Sequence, residues 1–392
     1  MNVLFFHSNG ILPEKGGISR TTYNLAKSLR EHGHNVFLIG HRKLDLECLY
    51  DPGQCFIPSS IENSFDDMVD YLNLYIQKQS IDIIINQNPF VKLYVDLIYS
   101  ASRGLKCKVI SCYHNTILTP VYNYAYQKEY QLRSKKLGIL YYILKCKFVN
   151  RILVKYYIQR NKNLYINTIH KSDRVVLLCE GLKDELIKIS GISDEQKYDI
   201  IPNMVPDFSS VDDIEKQNKV LWVGTFDNNV KRPDLALKIW KRLSIIRSDW
   251  ELHLLGDGPA LEEMKSLANK MKLSNVFFEG RKNPYPFYQE SKILMVTSTH
   301  ESFSLVTVEA MSNKCVPVVF NSFPAATKII KDKKTGFLIP AFSIESFSET
   351  MLYLMDKPVY LKTISEESKI ASTKYSSQNV VGLWNDLFQN LL

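Results

Sequence analysis

Two glutamates eight positions apart, Glu301 and Glu309, are the side chains around which a chemistry can be read in this sequence. They lie within residues 299–320, after an apolar run at 293–296 and before a second at 316–320. The pattern predicts strand, loop, helix and strand in succession. With the helix opening near Ser304, Glu301 falls in the loop before it and Glu309 in its second turn. A helix start carries unpaired N–H groups and the positive end of the dipole, so the amides of Phe303, Ser304 and Leu305 suit a phosphate. Carboxylates beside such a cradle do not bind the phosphate itself. They accept hydrogen bonds from hydroxyls, which a sugar and a ribose both supply.

The elements upstream present further polar groups at comparable places. Residues 3–6 read as a first strand, Gly16 and Gly17 lie in the loop after it, and a helical pattern from Ser19 stops at Gly33 before a strand over 36–39. A glycine pair at such a turn lets a phosphate or sugar come close to the backbone, although an ordinary tight turn needs it equally. The spacing is not GxGxxG, which tells against a dinucleotide enzyme. A helix over 65–77, a strand over 81–85, a helix over 91–100 and a strand over 108–111 follow. His114, Asn115 and Thr116 come just past that last strand, where ligands lie in doubly wound sheets. A second series opens with the strand 220–223 and continues through 252–255, followed by Gly256-Asp257-Gly258-Pro259, whose glycines read as turn residues rather than ligand contacts.

At 392 residues with 45% hydrophobic side chains, the chain suits two globular domains and has no disordered or collagenous bias. Its seven cysteines form no CxxC pair and no zinc spacing, which fits a reducing compartment. The N-terminal apolar run is too short for a signal peptide, and no run approaches the roughly 20 residues that span a bilayer. The expected location is therefore cytoplasmic. No DxD pair follows a strand, so neither a metal nor another cofactor is implied.

Glu301-Ser302-Phe303-Ser304-Leu305, then Glu309-Ala310-Met311, then Val316-Pro317-Val318 resemble the E-x7-E signature of the retaining glycosyltransferases of family 4. The resemblance implies the GT-B fold, an α/β architecture of two Rossmann-like domains facing one another across a cleft. Domains over 1–205 and 206–377 are expected, joined by a linker over 206–219, with a final helix over 378–392 crossing back to the first. Activity would be transfer of a hexosyl group from a nucleotide-sugar donor with retention of configuration. By position, Glu301 would meet hydroxyls of the donor sugar, Glu309 the ribose, and His114 the sugar. Gly16 and Gly17 would line the donor site, and Arg281 would approach the base. In the family an Arg after Gly and a later Lys hold the diphosphate. Here Thr225 stands at the first place, Lys231 at the second, and Arg232 beside it is a candidate replacement, because a guanidinium binds phosphate bidentately. Three glycines usual in the family are also replaced, by Ser302, Ser304 and Lys314.

Between Lys128 and Lys171 there are eleven Lys or Arg and one acid, Glu129, whereas the whole chain carries +8, so the remainder is slightly acidic. Nine tyrosines accompany them over residues 122–165. A solvated helix pair and a nucleic-acid surface are alternatives, but basic residues with Tyr also suit an anionic membrane. Lipid-linked acceptors of the family favour the membrane, reached from the inner face of the plasma membrane in cell-envelope polysaccharide synthesis, with no nucleic acid. Two other functions fit part of the pattern: a GT-B epimerase, which would need additional acid and base carboxylates, and a non-catalytic partner that binds nucleotide and membrane.

Overall fold

The computed structural model describes residues 1–13, 16–42, 53–205 and 214–392. The chain divides into two compact units, Met1–Asn115 with Ile158–Pro206 and Tyr375–Leu392, and Thr116–Tyr157 with Asp207–Lys374. Each is built on one parallel sheet.

The first sheet contains β1 (Asn2–Asn9), β2 (Asn35–Arg42), β3 (Gln54–Phe56), β4 (Ile83–Asn86), β5 (Lys108–Tyr113), β6 (Arg174–Leu177) and β7 (Tyr198–Ile200). Their order is β3-β2-β1-β4-β5-β6-β7, all parallel. Helices cover both faces, so strands are continuous apolar runs rather than alternations. Alternate residues still separate by face. Val3 and Phe5 join Ile83, Ile85, Leu25 and Leu29 in one core, while Leu4 and Phe6 join Ile84, Met68, Leu72 and Leu97 in the other. The C-terminal helix Ser377–Leu391 adds Val380, Val381, Trp384 and Phe388 to the first of these cores, and Ser28 bonds Ser377 at 2.6 Å.

The second sheet holds β8 (Gln217–Val223), β9 (Glu251–Leu255), β10 (Val276–Gly280), β11 (Ser291–Val296), β12 (Val316–Asn321) and β13 (Phe337–Pro340), ordered β10-β9-β8-β11-β12-β13 and again parallel. Val220, Trp222, Ile293, Met295, Val316 and Val318 pack against Leu237 and Trp240 of the helix Pro233–Leu243 and Phe347 and Met351 of the helix Ile344–Met355. Of the expected linker over 206–219, residues 206–213 lie outside the described residues, and β8 already begins at Gln217.

Residues 116–157, expected within the N-terminal domain, group instead with the second unit. The reason lies in specific contacts. Asn123 Nδ2 donates to the carbonyls of Thr299 and Ser322 at 2.6 and 2.8 Å, Tyr126 stacks on Phe342 at 3.9 Å between ring centres, and Tyr130 packs on the second unit's core. Among the described residues no helix is long and apolar enough to cross a membrane.

Candidate functional site

In a parallel sheet, a crevice opens at the carboxyl ends of the strands where successive connections leave in opposite directions. The strand orders place that point between β8 and β11 in the second sheet and between β1 and β4 in the first. Lys231 and Glu301 follow β8 and β11 at the first of these points, and Gly16 and Gly17 follow β1 at the second, whereas Arg281 follows the edge strand β10 and His114 follows β5.

In the second unit, two loops leave the ends of β8 and β11 and are laced together. Trp222 Nε1 donates to Thr297 Oγ1 at 3.0 Å, and that hydroxyl lies 2.9 and 3.0 Å from the carbonyls of Lys231 and Arg232. The Thr299 amide donates to the Val230 carbonyl at 2.7 Å. Held this way, Lys231 Nζ donates to Glu301 Oε1 at 2.6 Å, and Ser298 Oγ donates to the same oxygen at 2.7 Å. The lysine and glutamate side chains are only 25% and 11% exposed. Two residues far apart in sequence are thus joined: a cation suited to a phosphate and a carboxylate suited to hydroxyls. Sequence reasoning passed over their neighbours Ser298, Thr297 and His300. Burial lowers the His300 pKa, with Glu301 opposing, which keeps the imidazole neutral at pH 7.

The helix after this loop spans Leu305–Ser312, with Ser304 at its N-cap and Phe303 buried just before it. Glu309 is 5% exposed and its Oε2 accepts from the Tyr288 hydroxyl at 2.9 Å. Tyr288, on the helix Tyr285–Glu290, was not selected from sequence because nothing in its surroundings marks it apart from other core aromatics. Ser304 has φ +69° and Lys314 φ +56°, the left-handed region where glycine alone is at ease. These are two of the three places where the sequence departs from the family's glycines. Replacement of Ser304 by Gly relieves the backbone but deletes the 2.8 Å bond between Ser304 Oγ and Thr307 Oγ1. The expected net change in unfolding free energy is within about 1 kcal/mol, whereas Ser304→Val, β-branched at positive φ, should cost about 2 kcal/mol more than the glycine variant. Urea unfolding of the two variants checks this.

The turn after β9 is structural. A Cβ on Gly256, φ +140°, would lie 1.9 Å from the Gly224 carbonyl oxygen, and one on Gly258 would lie 2.8 Å from the Phe226 backbone. Thr225 is exposed, and Arg281 is exposed just beyond β10.

Arg232 departs from expectation. It is fully buried, and its guanidinium is spent within the protein: Nε to Asp234 Oδ1 at 2.7 Å, Nη2 to Asp234 Oδ2 at 3.0 Å and Glu129 Oε2 at 3.2 Å, and Nη1 to the Tyr126 carbonyl at 2.5 Å. It fastens residues 116–157 to the loop beside Lys231 and presents no donor to a diphosphate. Among the described residues no group of three or more His, Cys, Asp and Glu is placed to hold a metal ion.

In the first unit, the helix Gly17–Glu31 starts with Gly16 as N-cap, and a Cβ on either glycine would meet nothing within 4 Å. Neither glycine is therefore required for packing, although φ +148° at Gly16 disfavours other residues. His114 follows β5, is buried, and bonds through Nε2 to Gln87 Oε1, with Nδ1 unpartnered. Burial, reinforced by nearby His7, lowers its pKa from 6.5 to about 4. Below pH 6.5 the unfolded chain takes up this proton before the folded one does. Stability that is whole above pH 6.5 should therefore fall as pH drops toward 4, by about 3 kcal/mol in total. Urea unfolding at pH 5.0 and 7.5 should show a flatter dependence in His114→Asn.

Comparison with known proteins places this geometry in context. The family model described as Glycosyltransferase Family 4 matches residues 15–207, and that described as Glycosyl transferases group 1 matches residues 206–371. An uncharacterized glycosyltransferase of Haemophilus influenzae is 30% identical over 156 residues, 39% of this chain and 44% of its own length. The amylovoran biosynthesis glycosyltransferase AmsD of Erwinia amylovora is 26% identical over 227 residues, 55% of this chain and 62% of its own. The chain thus spans about half the length of these relatives. HepE of Anabaena, solved with UDP and glucose, superposes with a TM-score of 0.73 at 15% identity, covering 100% of this chain and 99% of that one.

Proposed function

The chain belongs to the GT-B glycosyltransferases of family 4 type, and from that premise we propose that it transfers a hexosyl group from a nucleotide-sugar donor, with retention of configuration, to a lipid-linked glycan in cell-envelope polysaccharide synthesis. The observation that carries this reading is the Lys231–Glu301 pair, held at the β8–β11 crevice with Glu301 four residues before the helix that begins at Leu305.

The hard step is departure of the nucleoside diphosphate as the sugar takes on oxocarbenium character. Charge then builds on the phosphate oxygens, and donors already in place stabilise it without reorganising. Lys231 supplies one such donor, and the amides from Phe303 to Leu305 supply others. Donor binding lets the diphosphate compete for the Lys231 ammonium, which releases Glu301 to accept from sugar hydroxyls. Glu309, its ring partner Tyr288 beside it, accepts from the ribose. Gly16, Gly17 and Arg281 keep their expected roles toward the donor, as does His114 toward the sugar, acting as a neutral imidazole. In this reading the leaving phosphate takes the acceptor's proton, so no protein base and no metal enter. Residues 122–171 meet an anionic membrane at the inner face of the plasma membrane, where a lipid-linked acceptor resides.

Thermal-shift titration with UDP-, GDP- and ADP-sugars, followed by nucleoside diphosphate release with and without acceptor, tests the reading. A raised unfolding temperature with one donor class and acceptor-dependent release support it. No shift with any donor overturns it, and a product of inverted configuration overturns the retaining step alone.

A further inference from the structure

The excursion at 116–157 leaves large apolar side chains in solvent in an ordered pattern. On the helix Gly138–Lys145, Ile139, Tyr142 and Ile143 are 73%, 61% and 49% exposed. On the helix Lys147–His170, Phe148, Ile152 and Tyr156 are 69%, 51% and 60% exposed. The spacings i, i+3, i+4 on one helix and i, i+4, i+8 on the next each define a single face. Scattered apolar residues on a surface need no explanation, but two such stripes on helices consecutive in the chain do.

Charge identifies what covers them. Lys135, Lys136, Lys147, Arg151 and Lys155 are all exposed, and the last three repeat at i, i+4, i+8 alongside Phe148, Ile152 and Tyr156. Glu129 is the one acid in residues 116–157, and its carboxylate is already engaged by Arg232 and Arg133. An apolar centre with a purely cationic rim, whose long stems lie along apolar surface while their heads reach outward, matches the boundary between acyl chains and anionic headgroups. A protein partner would have to carry acids matched to each of these positions, whereas an anionic headgroup layer supplies them everywhere.

We propose that these two helices insert their apolar stripes into the acyl layer of an anionic bilayer, so that attachment is insertion and not electrostatic adhesion alone. This deepens the membrane reading given above and rests on it. It also bears on the donor site, because the same excursion holds the Lys231 and Glu301 loops through Arg232 and through Asn123.

The test is flotation with phosphatidylcholine vesicles, with and without phosphatidylglycerol, at about 0.1 M and about 1 M salt, where screening lengths are about 10 and 3 Å. Insertion predicts that binding needs phosphatidylglycerol, weakens at high salt and yet persists there. Ile139→Ser with Phe148→Ser, both at exposed positions, should lower high-salt binding at least tenfold while leaving circular dichroism and donor-induced thermal shift unchanged. A Phe148→Trp reporter is clean, because all four native tryptophans are 3% exposed or less. Its emission should shift to the blue on vesicles and be quenched by brominated acyl chains. Complete release at high salt, with no quenching, overturns insertion but leaves electrostatic attachment standing. No flotation under any condition, or binding to RNA in place of vesicles, overturns both membrane statements, while donor-dependent thermal shift reports separately on the transferase reading.

Discussion

Glu301→Ala is expected to lower sugar transfer by at least about 10²-fold, the order seen when one preorganised polar contact to a transition state is removed. The fold should be untouched. The side chain leaves a loop, its hydrogen bonds go to Lys231 and Ser298, and it is absent from the core clusters. The ion pair it forms is partly solvated, so its contribution to stability is under about 1 kcal/mol. Glu301→Gln separates two components of the effect. The amide keeps the volume and can accept one hydroxyl, but it no longer neutralises Lys231. If Glu301 orients sugar hydroxyls, the Gln variant falls between wild type and Ala in kcat, and both retain nucleoside diphosphate binding through Lys231 and the helix start. Initial rates of nucleoside diphosphate release, with donor Kd and unfolding temperature in parallel, decide it. Wild-type turnover in Glu301→Ala would remove Glu301 from the mechanism.

The legible part of this molecule was the part that local chemistry determines. Strands such as residues 3–6 and 293–296 announce themselves because both sheet faces are covered, which makes every position apolar. Glu301 and Lys231 sit on the loops that leave the ends of β11 and β8, and a parallel sheet sends both loops to one edge, where the two side chains meet. Arg232 reads equally well as a phosphate ligand from its neighbours in sequence. What decides against it comes from 103 and 106 residues upstream, where Glu129 and the Tyr126 carbonyl wait, and no local pattern carries that information. The same long-range contacts explain why 116–157 groups with the second unit. Its position in the chain lies inside the first unit, but its hydrogen bonds run to Thr299 and Ser322 of the second.

That buried arginine carries the second large expected effect, on stability. Arg232→Met should destabilise the protein by about 3–5 kcal/mol, the usual consequence of removing one partner of a buried pair and leaving the other charged. Asp234 is fully buried, and the variant leaves it only Lys238, at 2.7 Å, for compensation. Burial pushes the Asp234 carboxyl up, but Arg232 and Lys238 outweigh it and hold the pKa below the usual range. In the wild type this group therefore adds stability above the unfolded carboxyl value of about 3.9, lost as pH falls through the lower folded value. Without Arg232 the balance reverses. The folded pKa rises, the folded state now takes the proton first, and the penalty of the variant should shrink as pH falls toward 4. Replacing both partners, Arg232→Met with Asp234→Leu, should recover most of the loss, since no buried charge is left without its counterion. Urea unfolding of the single and double variants at pH 7.5 and 4.5 measures all three expectations. Proteolysis supplies an independent readout: with the Tyr126 carbonyl and Glu129 released, cleavage should begin within residues 116–157. A single variant as stable as wild type at pH 7.5 would show that Arg232 is not the fastening it is taken to be.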